Sequence, residues 1–241
     1  MNILIIVLAI KIAVIIVAAK GLRKVFRRLF ITNFWYELSM NLTYWKTLKN
    51  SPIFNPEDIK RIKANYRNFK KQDKSYLVDI QSEYHLSWSC LIRATYDRCI
   101  ENGFSIDRSI EITENLLFEN MKPDKIAKYI LKALNKSKDP FQYMVNVSKR
   151  QESNFFGSTF SFSRATDDLN SYHLLVHDCF YNSYFRRHQV PELMKIACKW
   201  DLISWSKGVS QDRHGITFSR PTTLGLNDSD CQFNFERVPK K

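Results

Sequence analysis

The sequence predicts an α+β protein: an N-terminal membrane helix, a helical first half, then a small antiparallel sheet packed with helices. Three observations predict it. Residues 3–19 are an apolar run interrupted only by Lys11. From there to about residue 150, helix starts and three- and four-residue apolar spacings dominate. After Gly157 the pattern turns to the alternation of half-buried strands. Only 6 Gly and 7 Pro occur in 241 residues, which argues for long helices and against a barrel or sandwich. The divisions read as 1–28, a transmembrane anchor with a basic flank; 29–150, a helical region; and 151–241, an α+β region. Residues 29–241 read as one domain, with 17 Phe, 11 Tyr and 5 Trp to fill a core.

Residues 3–19 read ILIIVLAIKIAVIIVAA, near the lower limit of about 17–25 residues for a bilayer crossing. Lys11 at mid-membrane costs about 3 kcal/mol; it snorkels or faces a membrane-protein partner. Val17-Ala18-Ala19 resembles a cleavage site, but no basic n-region precedes the run. Lys20, Arg23, Lys24, Arg27 and Arg28 follow it, so the positive-inside rule puts the domain on the cytoplasmic or a matrix-like side. A single-pass protein of the inner mitochondrial membrane fits.

Asn55, Pro56, Glu57 and Asp58 form a helix start. A long helix is expected over about 75–102, with Leu77, Ile80, Tyr84, Trp88, Leu91 and Thr95 on one stripe and Gly103 as its stop. Helices over about 107–119 and 123–136 follow. Strands are then expected at 159–163 and 172–177, helices at 178–188 and from Pro191 to about Lys207, and strands at 214–218 and 231–235.

Lys and Arg number 37 against 24 Asp and Glu, a net charge of +13. Such a charge suits an anionic neighbour. No zinc finger, RNP-like strand or glycine-rich RNA loop accompanies it, so specific nucleic-acid binding is not expected. The first basic cluster reads as a membrane flank, and those at 60–74 and 122–138 as solvated helix faces. The five cysteines are odd in number and widely spaced, which fits a reducing compartment better than a disulfide framework.

The helix from Pro191 carries the most chemistry. Met194, Cys198, Asp201 and Trp205 share one face, while Lys195 and Lys199 mark the wet side. Asp201 therefore points towards protein and needs a partner. Arg220, Thr222, Thr223, Asp228 and Asp230 crowd a glycine-containing connection. Cys231 shares a strand face with Phe233 and Phe235. Cys179 lies at a strand-to-helix junction, where a thiol pKa can fall, beside His177 and Asp178. His85 reads as structural, and the Tyr84–Trp88 stripe as core.

Cys179 is followed in order by Pro191-Glu192-Leu193, Cys198-Lys-Trp-Asp201, Ile216-Thr217-Phe218-Ser219-Arg220, Thr222-Thr223-Leu224-Gly225 and Asp230-Cys231-Gln-Phe233-Asn-Phe235. With these motifs, residues 179–235 resemble the L-2-amino-thiazoline-4-carboxylic acid hydrolase family. The resemblance implies hydrolytic opening of a cyclic amidine in a thiazoline-type ring, a reaction at a non-peptide carbon–nitrogen or carbon–sulfur bond. Asp201 could activate water, with His177 or His214 handling the leaving group. Alternatively a cysteine, Cys198 or Cys179, attacks first. Arg220 suits a substrate carboxylate or an ion pair with Asp201 or Asp230; Thr222 and Asp230 complete the binding residues. No cofactor is expected, although Cys179, Cys198, Cys231 and a histidine make a zinc site conceivable. Function lives in the site and not the fold, so a non-catalytic accessory subunit of a membrane complex, or a small-molecule binding module, stands as the alternative.

Overall fold

The computed structural model describes residues 42–239. The apolar run 3–19, Lys11 and the basic flank lie outside the described residues. Among the described residues no helix is long and apolar enough to cross a membrane.

Helical residues 42–50 lead into α1 (Pro56–Gln72), α2 (Ile80–Glu101), α3 (Ile106–Met121), α4 (Pro123–Asn135) and α5 (Pro140–Gln151). Then come β1 (Ser161–Asp167), β2 (Ser171–Asp178), α6 (Phe180–Arg187), α7 (Met194–Gly208), the short α8 (Gln211–His214), β3 (Ile216–Ser219) and β4 (Cys231–Arg237). The α+β class, the helical first half and the antiparallel sheet are as the sequence predicts.

The capping expected at Asn55 is present: Asp58 N donates to Asn55 Oδ1 and Asn55 N to Asp58 Oδ2, both at 2.9 Å. The long helix begins later than Ser75. Residues Lys74–Tyr76 form a 3₁₀ turn, and Asp79 caps α2 through a 2.7 Å bond from Ser82 N. Asp79 wins because its side chain satisfies an amide that an uninterrupted helix start would leave bare. Gly103, with φ +83°, ends α2 as expected. α5 is an addition to the expected elements; Asp139 caps it and Pro140 opens it.

The strand order is β1-β2-β4-β3, antiparallel throughout. Tyr172, Leu174 and Val176 pair with Phe235, Phe233 and Cys231, and all six are buried. This is the core face, and each large side chain on it contributes about 1.5–3 kcal/mol by leaving water. Trp205 of α7 meets Phe235 with ring centroids 5.2 Å apart. The opposite face carries His173, His177, Gln232, Asn234 and Glu236, as the strand period of two requires. His214 does not open β3. It closes the α8 turn, capped by Ser210 and ended by Gly215 at φ +65°, and the strand starts at Ile216.

α6 is tied to the helical half by Tyr184, whose hydroxyl donates to Asp73 Oδ2 at 2.9 Å. The turn before α7 is tied to α2, where Tyr96 donates to Glu192 Oε1 at 2.5 Å. These links hold α6 and the start of α7 against the helical half, and the β3–β4 connection meets α7 separately, with Gly225 against Cys198 and Met194.

Candidate functional site

α7 turns its Met194–Cys198–Asp201–Trp205 face into the protein, with Lys195 and Lys199 outside, as its periodicity dictates. The β3–β4 connection crosses this face. It is held in shape by its own polar groups: Thr223 N donates to Asp228 Oδ2 at 2.7 Å, Thr222 Oγ1 to Asp230 Oδ1 at 3.2 Å and Ser229 Oγ to Asp230 Oδ2 at 2.9 Å. Thr222 and Asp230, expected to bind substrate, are hydrogen-bonded to each other within the loop.

Arg220 is the centre of the cluster. Its Nη1 donates to the carbonyl of Cys198 at 2.9 Å. Nη2 faces Thr223 Oγ1 at 3.4 Å, Cys231 Sγ at 3.5 Å and Cys198 Sγ at 3.8 Å. The guanidinium stacks on Phe233, 4.5 Å from the ring centroid, and its buried Nε has no hydrogen-bond partner among the described residues. Thr223 joins the two thiols, 3.3 Å from Cys198 Sγ and 3.5 Å from Cys231 Sγ. The amide of Leu224 donates to Cys231 Sγ at 3.2 Å.

Asp201 lies one turn beyond Cys198. Burial pushes its carboxyl above the usual carboxylate range, against the pull of Arg220. The two groups feel each other electrostatically but make no ion pair within 4.0 Å, and neither does Arg220 with Asp230. Burial likewise raises the Cys198 thiol, while Arg220 and Thr223 act to lower it. Cys179 is the N-cap residue of α6, but the expected fall in its pKa does not follow: burial pushes the thiol up to about 12 and outweighs the backbone amides of Asn182 and Tyr181.

The two histidines expected to handle a proton are placed elsewhere. His177 is exposed, on the opposite face of β2 from Val176, and its Nε2 lies 2.6 Å from Ser163 Oγ. The buried His214 accepts from Ser210 N at Nδ1 (3.1 Å) and has Asn135 Oδ1 3.0 Å from Nε2. Both nitrogens are occupied, leaving neither for a leaving group.

Sequence reasoning gave no role to two residues. Thr223 sits beside Thr222 in the same motif, and spacing alone does not say which of two adjacent threonines turns inward. Tyr181, two residues past Cys179, is raised well above its ordinary pKa by burial, with smaller contributions from Tyr84, Cys179 and Asp201.

Among the described residues no group of three or more His, Cys, Asp or Glu side chains is arranged to hold a metal ion. The thiols of Cys198 and Cys231 surround a guanidinium, the wrong charge to share with a cation. The residues present therefore do not fit the zinc site that the cysteine count made conceivable. A shallow recess of about 340 Å³ lies apart from the cluster, lined by Phe118, Lys122, Asp124, Lys128 and Ile203 among others.

Comparison with the curated proteins and with the solved structures gives no match. The family model described as L-2-amino-thiazoline-4-carboxylic acid hydrolase matches residues 107–235, more than half of the chain. That span runs from the first turn of α3 into β4 and includes Cys179, Cys198, Asp201, Arg220, Thr223 and Cys231. The chain belongs to the L-2-amino-thiazoline-4-carboxylic acid hydrolase family.

Proposed function

We propose that the protein is a hydrolase opening a small cyclic amidine of the thiazoline type. The observation that carries this reading is Asp201: an inward carboxyl on the α7 face that meets the β3–β4 connection, with no side-chain hydrogen bond among the described residues, raised in pKa by burial, and within electrostatic reach of the Arg220 guanidinium and the Tyr181 phenol. A carboxyl shifted upward is a better general base near neutrality. In this reading Asp201 takes a proton from water as the oxygen attacks the amidine carbon. Arg220 offsets the charge, and the ring carbon–sulfur bond breaks with the proton passing to sulfur, which leaves as a thiol. The route through Cys198 is the weaker one, because its thiol is raised by burial despite Arg220.

We also propose residues 3–19 as a single-pass anchor, with a partner helix at Lys11 and the domain on the cytoplasmic or a matrix-like side. The charge order of the sequence supports this. Retention of the full chain in the membrane fraction after alkaline carbonate extraction tests it; release into the supernatant excludes the anchor.

One observation favours the non-catalytic reading, a binding module or accessory subunit: both terminal nitrogens of Arg220 are already used by the protein's own atoms. The deciding experiment incubates the full chain with L-2-aminothiazoline-4-carboxylate and follows release of a free small-molecule thiol. Release that falls by about 10²-fold or more in Asp201→Asn supports the hydrolase. No release from a folded chain favours the module or subunit.

A further inference from the structure

His85 is wholly buried, and six aromatic rings surround it. Tyr84, Phe155, Phe160, Phe180 and Tyr181 have centroids within 5.0–5.7 Å, and Phe156 stacks at 6.4 Å. An imidazole in such a cage must satisfy both nitrogens. Nε2 lies 3.0 Å from the carbonyl oxygen of Phe155 and Nδ1 lies 2.8 Å from the Tyr181 hydroxyl. The Phe155 carbonyl belongs to a π-helical turn, Glu152–Phe156, whose terminal carbonyls lack helical partners. Turns of this type are frequent at functional sites.

The hydrogen placement follows by elimination. A carbonyl only accepts, so Nε2 carries the hydrogen and donates. Burial holds the ring neutral, with its pKa lowered to about 4, so Nδ1 is bare. A bare nitrogen only accepts, so the Tyr181 hydroxyl spends its single hydrogen on His85. For any further partner the phenol oxygen has lone pairs alone, and Tyr84, Cys179 and Asp201 lie within its electrostatic reach. An ionised Asp201, the form the proposed mechanism uses, is likewise an acceptor, so a ligand held by both groups would meet two acceptors.

We propose that Tyr181 is the specificity-determining residue of this site, an enforced acceptor that selects a ligand bearing an exocyclic N–H over its exocyclic carbonyl analogue, and that His85 is the positioning residue that enforces it. The inference rests on the hydrolase-family reading for the place where the ligand lies. His85 comes from α2, before the matched span 107–235, so the family match does not assign it.

The test measures equilibrium binding of L-2-aminothiazoline-4-carboxylate and of its 2-oxo counterpart, 2-oxothiazolidine-4-carboxylate, to the full chain. One good hydrogen bond predicts a preference of about tenfold for the amino ligand in the parent. Tyr181→Phe removes the preference by weakening the amino ligand alone. His85→Phe fills the cage but offers no acceptor, so the phenol hydrogen turns inward and the ratio moves towards the oxo ligand. His85→Gln, which can accept from Tyr181 and donate to Phe155, restores the parent ratio. Should His85→Phe fail to fold, Tyr181→Phe decides alone. Equal binding of both ligands by the parent, or an unchanged ratio in Tyr181→Phe, overturns the assignment. Selectivity without thiol release upholds Tyr181 and removes hydrolysis; thiol release without selectivity does the reverse. Binding of neither ligand overturns both.

Discussion

Arg220 grips Cys198 at two points: its Nη1 donates to the Cys198 carbonyl at 2.9 Å, and its Nη2 lies 3.8 Å from the Cys198 sulfur. The carbonyl contact fixes the guanidinium on the helix, so the charge stays beside the thiol. Removing the charge should raise the Cys198 pKa further, by about one unit or more. Arg220→Met is the direct test, read from the pH dependence of Cys198 alkylation by iodoacetamide with peptide mass mapping. The midpoint moves up. Arg220→Lys recovers only part, since an ammonium cannot reach the carbonyl, both sulfurs and Thr223 together. A midpoint that stays in place would show that the guanidinium does not act on this thiol.

The Cys198 sulfur also limits residue 225. A Cβ at Gly225 would lie 2.8 Å from Cys198 Sγ and 3.3 Å from Met194 Cβ. Gly225→Ala therefore pushes on the helix that carries Asp201. The expected cost is about 1–3 kcal/mol in urea unfolding. Cys198→Ala alone removes the obstructing sulfur, so the double variant should recover most of the loss, a non-additivity that marks direct contact. Additive losses would count against the clash.

Local chemistry decided which parts of this architecture were legible in the sequence. The α1 start could be read because Asn55 and Asp58 cap each other across three residues. The α7 face could be read because Met194, Cys198, Asp201 and Trp205 follow the helix period. The later start of α2 was missed because Leu77 and Ile80 continue the apolar spacing across Asp79, and the cap outweighs that pattern. His214 runs on into the apolar alternation of β3 in the sequence, but Ser210 and Gly215 bound a helical turn around it. The site was half legible. Cys198, Asp201, Arg220 and Cys231 lie on short motifs, whereas the His85 cage joins rings from residue 84 to residue 181, and its convergence depends wholly on tertiary packing. The Cys179 pKa was misjudged for the same reason: a helix N-terminus is visible in sequence, but the depth at which it is buried is not.

Asp58 is 2% exposed, and Arg98 holds it through Nη2 at 2.6 Å and Nε at 2.7 Å. The pair joins α1 to α2 and so fixes the helix that carries His85. Arg98→Met leaves a buried carboxylate uncompensated, and a loss of about 3–5 kcal/mol is expected in urea unfolding. Adding Asp58→Asn keeps the cap acceptor and removes the charge, so the double variant should stand well above Arg98→Met alone. If Arg98→Met costs less than about 1 kcal/mol, water or another cation has taken the place of Arg98.

The neutral His85 gives stability a defined pH dependence. Its folded pKa, about 4, lies below the ordinary 6.5. As pH falls through 6.5 the unfolded chain takes up a proton that the folded chain refuses until about pH 4. The His85 contribution is therefore complete above 6.5 and is lost between 6.5 and 4. At roughly 1.4 kcal/mol per pH unit, that is a loss of about 3 kcal/mol. Other groups titrate in the same window: burial also lowers His188, and it raises Asp97 to about 6, which acts with the opposite sign. A difference measurement cancels both. The parent and His85→Gln should be unfolded in urea at several pH values from 4 to 8. The parent's stability relative to His85→Gln should fall by about 3 kcal/mol between pH 7 and pH 4, because glutamine does not titrate. A pH-independent difference would mean that the caged imidazole takes up its proton in the folded chain as readily as in the unfolded one. In that case Nδ1 would not be held bare, and the Tyr181 hydroxyl would not be held as its donor.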